Sequence, residues 1–167
     1  MNGVDQLCPQ CGLCCDGTLF ADVELRKGDD PQRLVKLGLE IQQKTKTRLA
    51  FTQPCACFDG QLCKIYAERP KRCGLFECGL LKRLEKNEMT ARAALKKISQ
   101  AKARVEKVRQ LLRASGQRDE DLALTHRYAE VMSAAVDLSD TQATRRHTQL
   151  MRSMHALMEQ LERDFLQ

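Results

Sequence analysis

Tryptophan is absent from this 167-residue chain, and only five Phe and two Tyr supply aromatic surface. A large aromatic-lined pocket or a base-stacking platform is hard to build from so few rings. No uninterrupted apolar run approaches the length needed to cross a bilayer, so no transmembrane helix is expected. Met1 to Asp5 lacks a basic stretch leading into an apolar one, so no secretory signal is visible and the expected location is the cytoplasm. Proline is missing after Pro70, cysteine after Cys78, and histidine before His126. There is no Gly-x-Gly phosphate loop and no histidine–carboxylate set beside the cysteines, which leaves a conventional hydrolytic or nucleotide site without its parts.

What is present is cysteine. Nine occur, all within the first 78 residues: Cys8, Cys11, Cys14, Cys15, Cys55, Cys57, Cys63, Cys73 and Cys78. A disulfide framework calls for an oxidising compartment and an even count. Here the count is odd and no export signal is visible, which points to metal ligation.

The chain divides near residue 80. Residues 1–80 hold the prolines and most glycines and read as a loop-rich cysteine module. Within it, Leu19, Ala21, Val23 and Leu25 alternate with polar or outward residues as a short strand. Asp30-Pro31 opens a short helix, with Asp30 as N-cap, that stops at Gly38. Leu49 to Phe51 reads as a second strand. Residues 81–167 show three apolar stripes at spacings of three and four. The first carries Ile98, Ala101, Val105, Val108 and Leu112. The second carries Leu124, Tyr128, Val131, Ala135 and Leu138. The third carries His147, Leu150, Met154, Leu157, Leu161 and Phe165. Ser139 with Gln142 is the expected capping box of the last helix. The expected fold is therefore mainly α: a small irregular metal-binding module followed by an antiparallel three-helix, coiled-coil-like interaction domain. His147 and His155 read as ordinary helix residues, and Met151, Met154 and Met158 as core filler.

The net charge is +6. The excess lies between Lys82 and Arg113, where 11 basic residues face only Glu85, Glu88 and Glu106. A basic helix can bind phosphate, present a solvated face, or serve as counterpart to thiolates. The poverty of aromatics and the lack of a finger spacing disfavour nucleic acid.

Cys8-Pro9-Gln10-Cys11 is a CxxC, whose two sulfurs can reach one tetrahedral ion at about 2.3 Å each. Cys14 and Cys15 continue it as CxxCxxCC. Adjacent cysteines do not point the same way in extended chain. One joins a first centre and the other a second centre or a bridge. The ligands are all sulfur, or sulfur with a carboxylate from Asp16 or Asp59. Zinc and iron–sulfur clusters both suit such a set.

These residues resemble the signature of the CxxCxxCC, or YkgJ-like, cysteine-cluster family. A second motif agrees: Cys63-Lys64-Ile65-Tyr66-Ala67-Glu68-Arg69-Pro70-Lys71-Arg72-Cys73, closed by Phe76 and Cys78. The resemblance implies a zinc- or iron-chelating domain with eight matching ligands: Cys8, Cys11, Cys14, Cys15, Cys55, Cys63, Cys73 and Cys78. It leaves Cys57 outside the pattern. It also implies a metal that is mononuclear, multinuclear or an iron–sulfur cluster. Arg69 is expected to offset thiolate charge, and Tyr66 to pack under the centre. The expected function is that of a metal-binding protein whose partners are metal ions and, through the helical half, another protein. The alternative is an iron-dependent enzyme of redox or protein-modification chemistry, in which a spare thiol reacts.

Overall fold

The computed structural model describes residues 3–137 and 139–167. Among them are seven α-helices and one three-stranded antiparallel sheet: α1 (Gly3–Cys11), β1 (Asp22–Glu24), α2 (Pro31–Lys36), β2 (Ile41–Thr45), β3 (Arg48–Thr52), α3 (Lys71–Leu75), α4 (Gly79–Glu85), α5 (Ala91–Ala114), α6 (Leu124–Ser133) and α7 (Thr141–Leu161). The mainly α architecture with a cysteine-rich amino-terminal region is as expected. No helix among the described residues is long and apolar enough to cross a membrane.

Local chemistry explains most boundaries. The Asp30 carboxylate accepts from Arg33 N at 3.1 Å, and Pro31 occupies the first turn, so α2 starts where expected. The sheet order is β1-β3-β2, with Val23 opposite Phe51 and Ile41 also opposite Phe51. Strand β2, Ile-Gln-Gln-Lys-Thr, is exposed along nearly its whole length. Two expectations need correction. The second stripe ends at Ser133, not beyond: the Ser133 hydroxyl donates to Glu130 O at 2.9 Å, and Ala134 is extended. Leu138 lies outside the described residues. The cap of α7 is Asp140, whose Oδ1 accepts from Gln142 N at 2.8 Å and Ala143 N at 3.0 Å. Ser139 instead donates its hydroxyl to Asp137.

Burial falls into two clusters. The larger joins Ile98, Ala101, Val105, Val108 and Leu112 of α5 to Leu150, Met154, Leu157 and Leu161 of α7. Helices α5 and α7 run antiparallel: Lys97 meets Asp164 and Gln160, while Arg104 reaches Ala156 O. Leu7 of α1, Leu13 and Leu80 belong to the same cluster, so the core crosses residue 80 in space. Of Met151, Met154 and Met158, only Met154 is core filler as expected; the other two are exposed. The smaller cluster gathers Val23, Leu34, Leu39, Phe51, Cys57 and Ile65 on the sheet side.

The end of α7 widens into a five-residue π-type turn, Glu162–Leu166. It places Asp164, 1% exposed, against Lys97 Nζ at 2.7 Å, with Arg163 at 3.4 Å and Arg83 at 3.8 Å. Burial alone would raise this carboxyl, but Lys97 and Arg163 outweigh it and hold it below its ordinary value. Asp164→Asn leaves those cations short of a partner. Because Lys97 and Arg83 are themselves about a third exposed, and Arg163 more so, the expected loss is about 2–3 kcal/mol, read as a lower urea midpoint at neutral pH. Wild-type protein should likewise lose stability as the pH falls below about 3.8, where the unfolded carboxyl takes up its proton first.

Candidate metal centre

Cys8 and Cys11 lie three residues apart on α1, which places them on one helical face. The helix ends at Cys11. Gly12 then adopts φ +75°, and its carbonyl accepts from both Cys15 N (2.8 Å) and Asp16 N (3.0 Å). This tight turn presents Cys14 and Cys15 with their sulfurs 3.7 Å apart. A side chain at position 12 is excluded twice. The dihedral is left-handed, and a Cβ would stand 2.6 Å from the Phe58 ring. Phe58 thereby seats the 55–63 loop on the CxxCxxCC turn.

Three further contacts assemble the remaining thiols. Cys55 N donates to Cys15 O at 2.9 Å, which pins the second cysteine run to the first. A bridge between Phe58 and Cys63, with Lys64 N donating to Cys57 O, folds the loop back. Cys73 rides on α3, and Cys78 is the cap residue of α4. Phe76, the closing aromatic of the second motif, meets Phe20 edge-on at 5.0 Å. Gly79 follows Cys78 directly, and a Cβ there would lie 2.8 Å from Asp164 O, so the π-type turn packs on the start of α4.

None of the nine cysteines is in a disulfide, and only Cys8 of them is exposed. Burial, first, pushes Cys11 up to about 12, with Cys14, Cys78 and Cys8 adding to it. Burial likewise pushes Cys73 to about 12 and Cys55 to about 11, aided by their thiol neighbours. The hydrogen bond between the adjacent pair holds Cys14 down and Cys15 up. Thiols held neutral by burial and by each other are groups that a cation would relieve.

The donors on offer are sulfur. Both candidate carboxylates are occupied otherwise. Asp16 Oδ1 accepts from Thr18 N (3.0 Å) and its Oδ2 from Arg109 (3.1 Å), whereas Asp59 Oδ1 accepts from Gln61 N and Leu62 N. The three histidines sit on α6 and α7, and His155 is exposed beside Glu159. Among the described residues no three Cys, His, Asp or Glu side chains already share a closed ligand sphere. The thiols instead stand near enough to act electrically on one another. Their chemistry fits zinc or iron and suits hard, oxygen-seeking cations poorly.

Arg69 stands over the Tyr66 ring at 3.8 Å, and its charge acts on both Cys14 and Cys73. Tyr66 is about half exposed, so its ring supports the guanidinium. Cys57 is 2% exposed and donates to Leu37 O at 3.5 Å. Burial raises its thiol, which makes it a poor nucleophile. Two cations of the basic stretch reach the cysteine turn. Lys102 Nζ donates to Gln10 O at 3.3 Å, and Arg109 grips Asp16 through its carboxylate and its carbonyl. Both reach from α5 to the CxxCxxCC turn. Of the basic stretch, Lys97 and Arg104 serve the α7 side instead. Only the position of Lys102 and Arg109 within the charge-rich segment hinted at this role.

The family comparison agrees with the thiol chemistry: residues 7–95 match the CxxCxxCC family, described as "Putative zinc- or iron-chelating domain". The chain belongs to this family. The match spans both cysteine motifs and continues through α4 into the start of α5. No curated protein matches the chain, and no solved structure does.

Proposed function

We propose that this CxxCxxCC protein binds zinc or iron in the cell's reducing interior through Cys8, Cys11, Cys14, Cys15, Cys55, Cys63, Cys73 and Cys78. The observation that carries the reading is the convergence of thiols from two distant sequence runs, joined at Cys15 O to Cys55 N, with the nearby carboxylates taken up by hydrogen bonds. Bound metal would neutralise part of the charge of ligands that must ionise to hold it. Each tetrathiolate zinc would still carry a net charge of about −2 by stoichiometry. Arg69, Arg109 and Lys102 surround that charge from two sides. Residues 81–167 would then brace the ligand loops as well as offer a helical surface to a protein partner.

Elemental analysis and a visible spectrum of anaerobically purified full-length protein test this. The expected result is stoichiometric zinc in a colourless protein, or iron with thiolate-to-iron absorption. A chain that carries no zinc or iron, and takes up neither on reconstitution, contradicts it.

A further inference from the structure

The cysteines do not gather around one point. Cys11 and Cys78 pack against the large helical cluster beneath α5 and α7, and Cys8 is on the same helix as Cys11. Cys55, Cys63 and Cys73 pack instead against the sheet-side cluster, together with buried Cys57. Cys14 and Cys15 belong to neither cluster; they are adjacent in sequence, with sulfurs 3.7 Å apart. The Cys15 carbonyl is bonded to Cys55 N, which ties that residue to the sheet side.

Resting on the metal-binding reading above, we propose that the chain holds two separate four-thiolate centres: Cys8, Cys11, Cys14 and Cys78 on the helical core, and Cys15, Cys55, Cys63 and Cys73 on the sheet core. The electrostatic neighbourhoods divide the same way. Cys11 is acted on by Cys14, Cys78 and Cys8, whereas Cys15 is acted on by Cys55 and Cys73 beyond its sequence neighbour. Cys73 also senses Cys14, as expected where the two sets adjoin. Each set draws its members from both sequence motifs, so neither motif forms a centre alone. Cys57 stays outside both, its thiol given to the Leu37 carbonyl. Arg69 acts on Cys14 of one set and Cys73 of the other, which places a fixed positive charge between two anionic centres.

The test uses the full chain, stripped and reloaded anaerobically with zinc alone, then with cobalt(II) as a spectroscopic probe. Wild type should bind two ions. Cys78→Ser and Cys63→Ser should each bind about one. Pairing two substitutions within a set, Cys11→Ser with Cys78→Ser, should still leave one. Pairing across sets, Cys78→Ser with Cys63→Ser, should leave almost none. The cobalt charge-transfer band of each single variant should keep the position and per-ion intensity of four-thiolate coordination, which a globally collapsed protein would not show. Loss of both ions in the within-set pair, or one or three ions in wild type, overturns the division while leaving metal binding intact. A wild type that takes up no ion fails the underlying reading instead.

Discussion

A strong chelator should make the segment from β1 to α3 sensitive to protease while α5 and α7 stay protected. The sheet-side cluster contains only six buried side chains, and one of these is Cys57. Such a core is small for the span from Asp22 to Cys73 that it must order, in which β2 contributes an almost wholly exposed strand. Coordination can supply the shortfall, because a structural zinc contributes roughly 10–16 kcal/mol of apparent binding free energy in small thiolate modules at neutral pH. The helical core does not share this dependence. Its α5 and α7 stripes bury Val105, Val108, Leu112, Leu150 and Leu157 to 2% exposure or less. Limited proteolysis with mass mapping should therefore place the first cuts of the chelated chain within residues 22–75. Equal resistance with and without chelator would show that the sheet side folds unaided.

Leu13→Ala should destabilise the chain and loosen its metal together, although it removes no ligand. Leu13 is fully buried and belongs to the helical cluster, yet it lies between Cys11 and Cys14. Truncating a buried leucine costs about 2–5 kcal/mol, and the site cannot relax freely because Gly12 is held under Phe58. A loss of about 3 kcal/mol is expected in urea unfolding of the loaded protein, with faster release of metal to a competing chelator. Leu112→Ala is the control. It is equally buried on α5 and should cost similar stability without hastening release under native conditions. Equal release rates for the two variants would show that the turn is held by its ligands alone.

The helical half was legible because its stripes are long and periodic. Ile98, Ala101, Val105, Val108 and Leu112 are all buried, as their spacing requires. Strands β1 and β3 were legible from short apolar alternation, and α2 from Asp30-Pro31. Strand β2 was not, since Gln42, Gln43 and Lys44 carry no apolar pattern and the strand exists by pairing with β3. Helix α1 was hidden by Pro9 and by the CxxC spacing, which suits a turn as well as a helix. The cysteine motifs disclosed the kind of site, but their grouping depends on which core each thiol rests against. Buried Arg127 was equally invisible: its charge is met by Glu120 and Gln117, residues of the link between α5 and α6.

The clasp of Arg109 on Asp16 spans 93 residues of chain. During synthesis the thiols of the CxxCxxCC turn therefore leave the ribosome well before the helix that braces them. At about 5–20 residues per second, that interval is on the order of ten seconds. Through it the turn lacks both Arg109 and the α5 side of its apolar seat. Whatever supplies metal or guards these thiols in a growing chain meets them first as a loose peptide, and the mature grip closes only once α5 has been made.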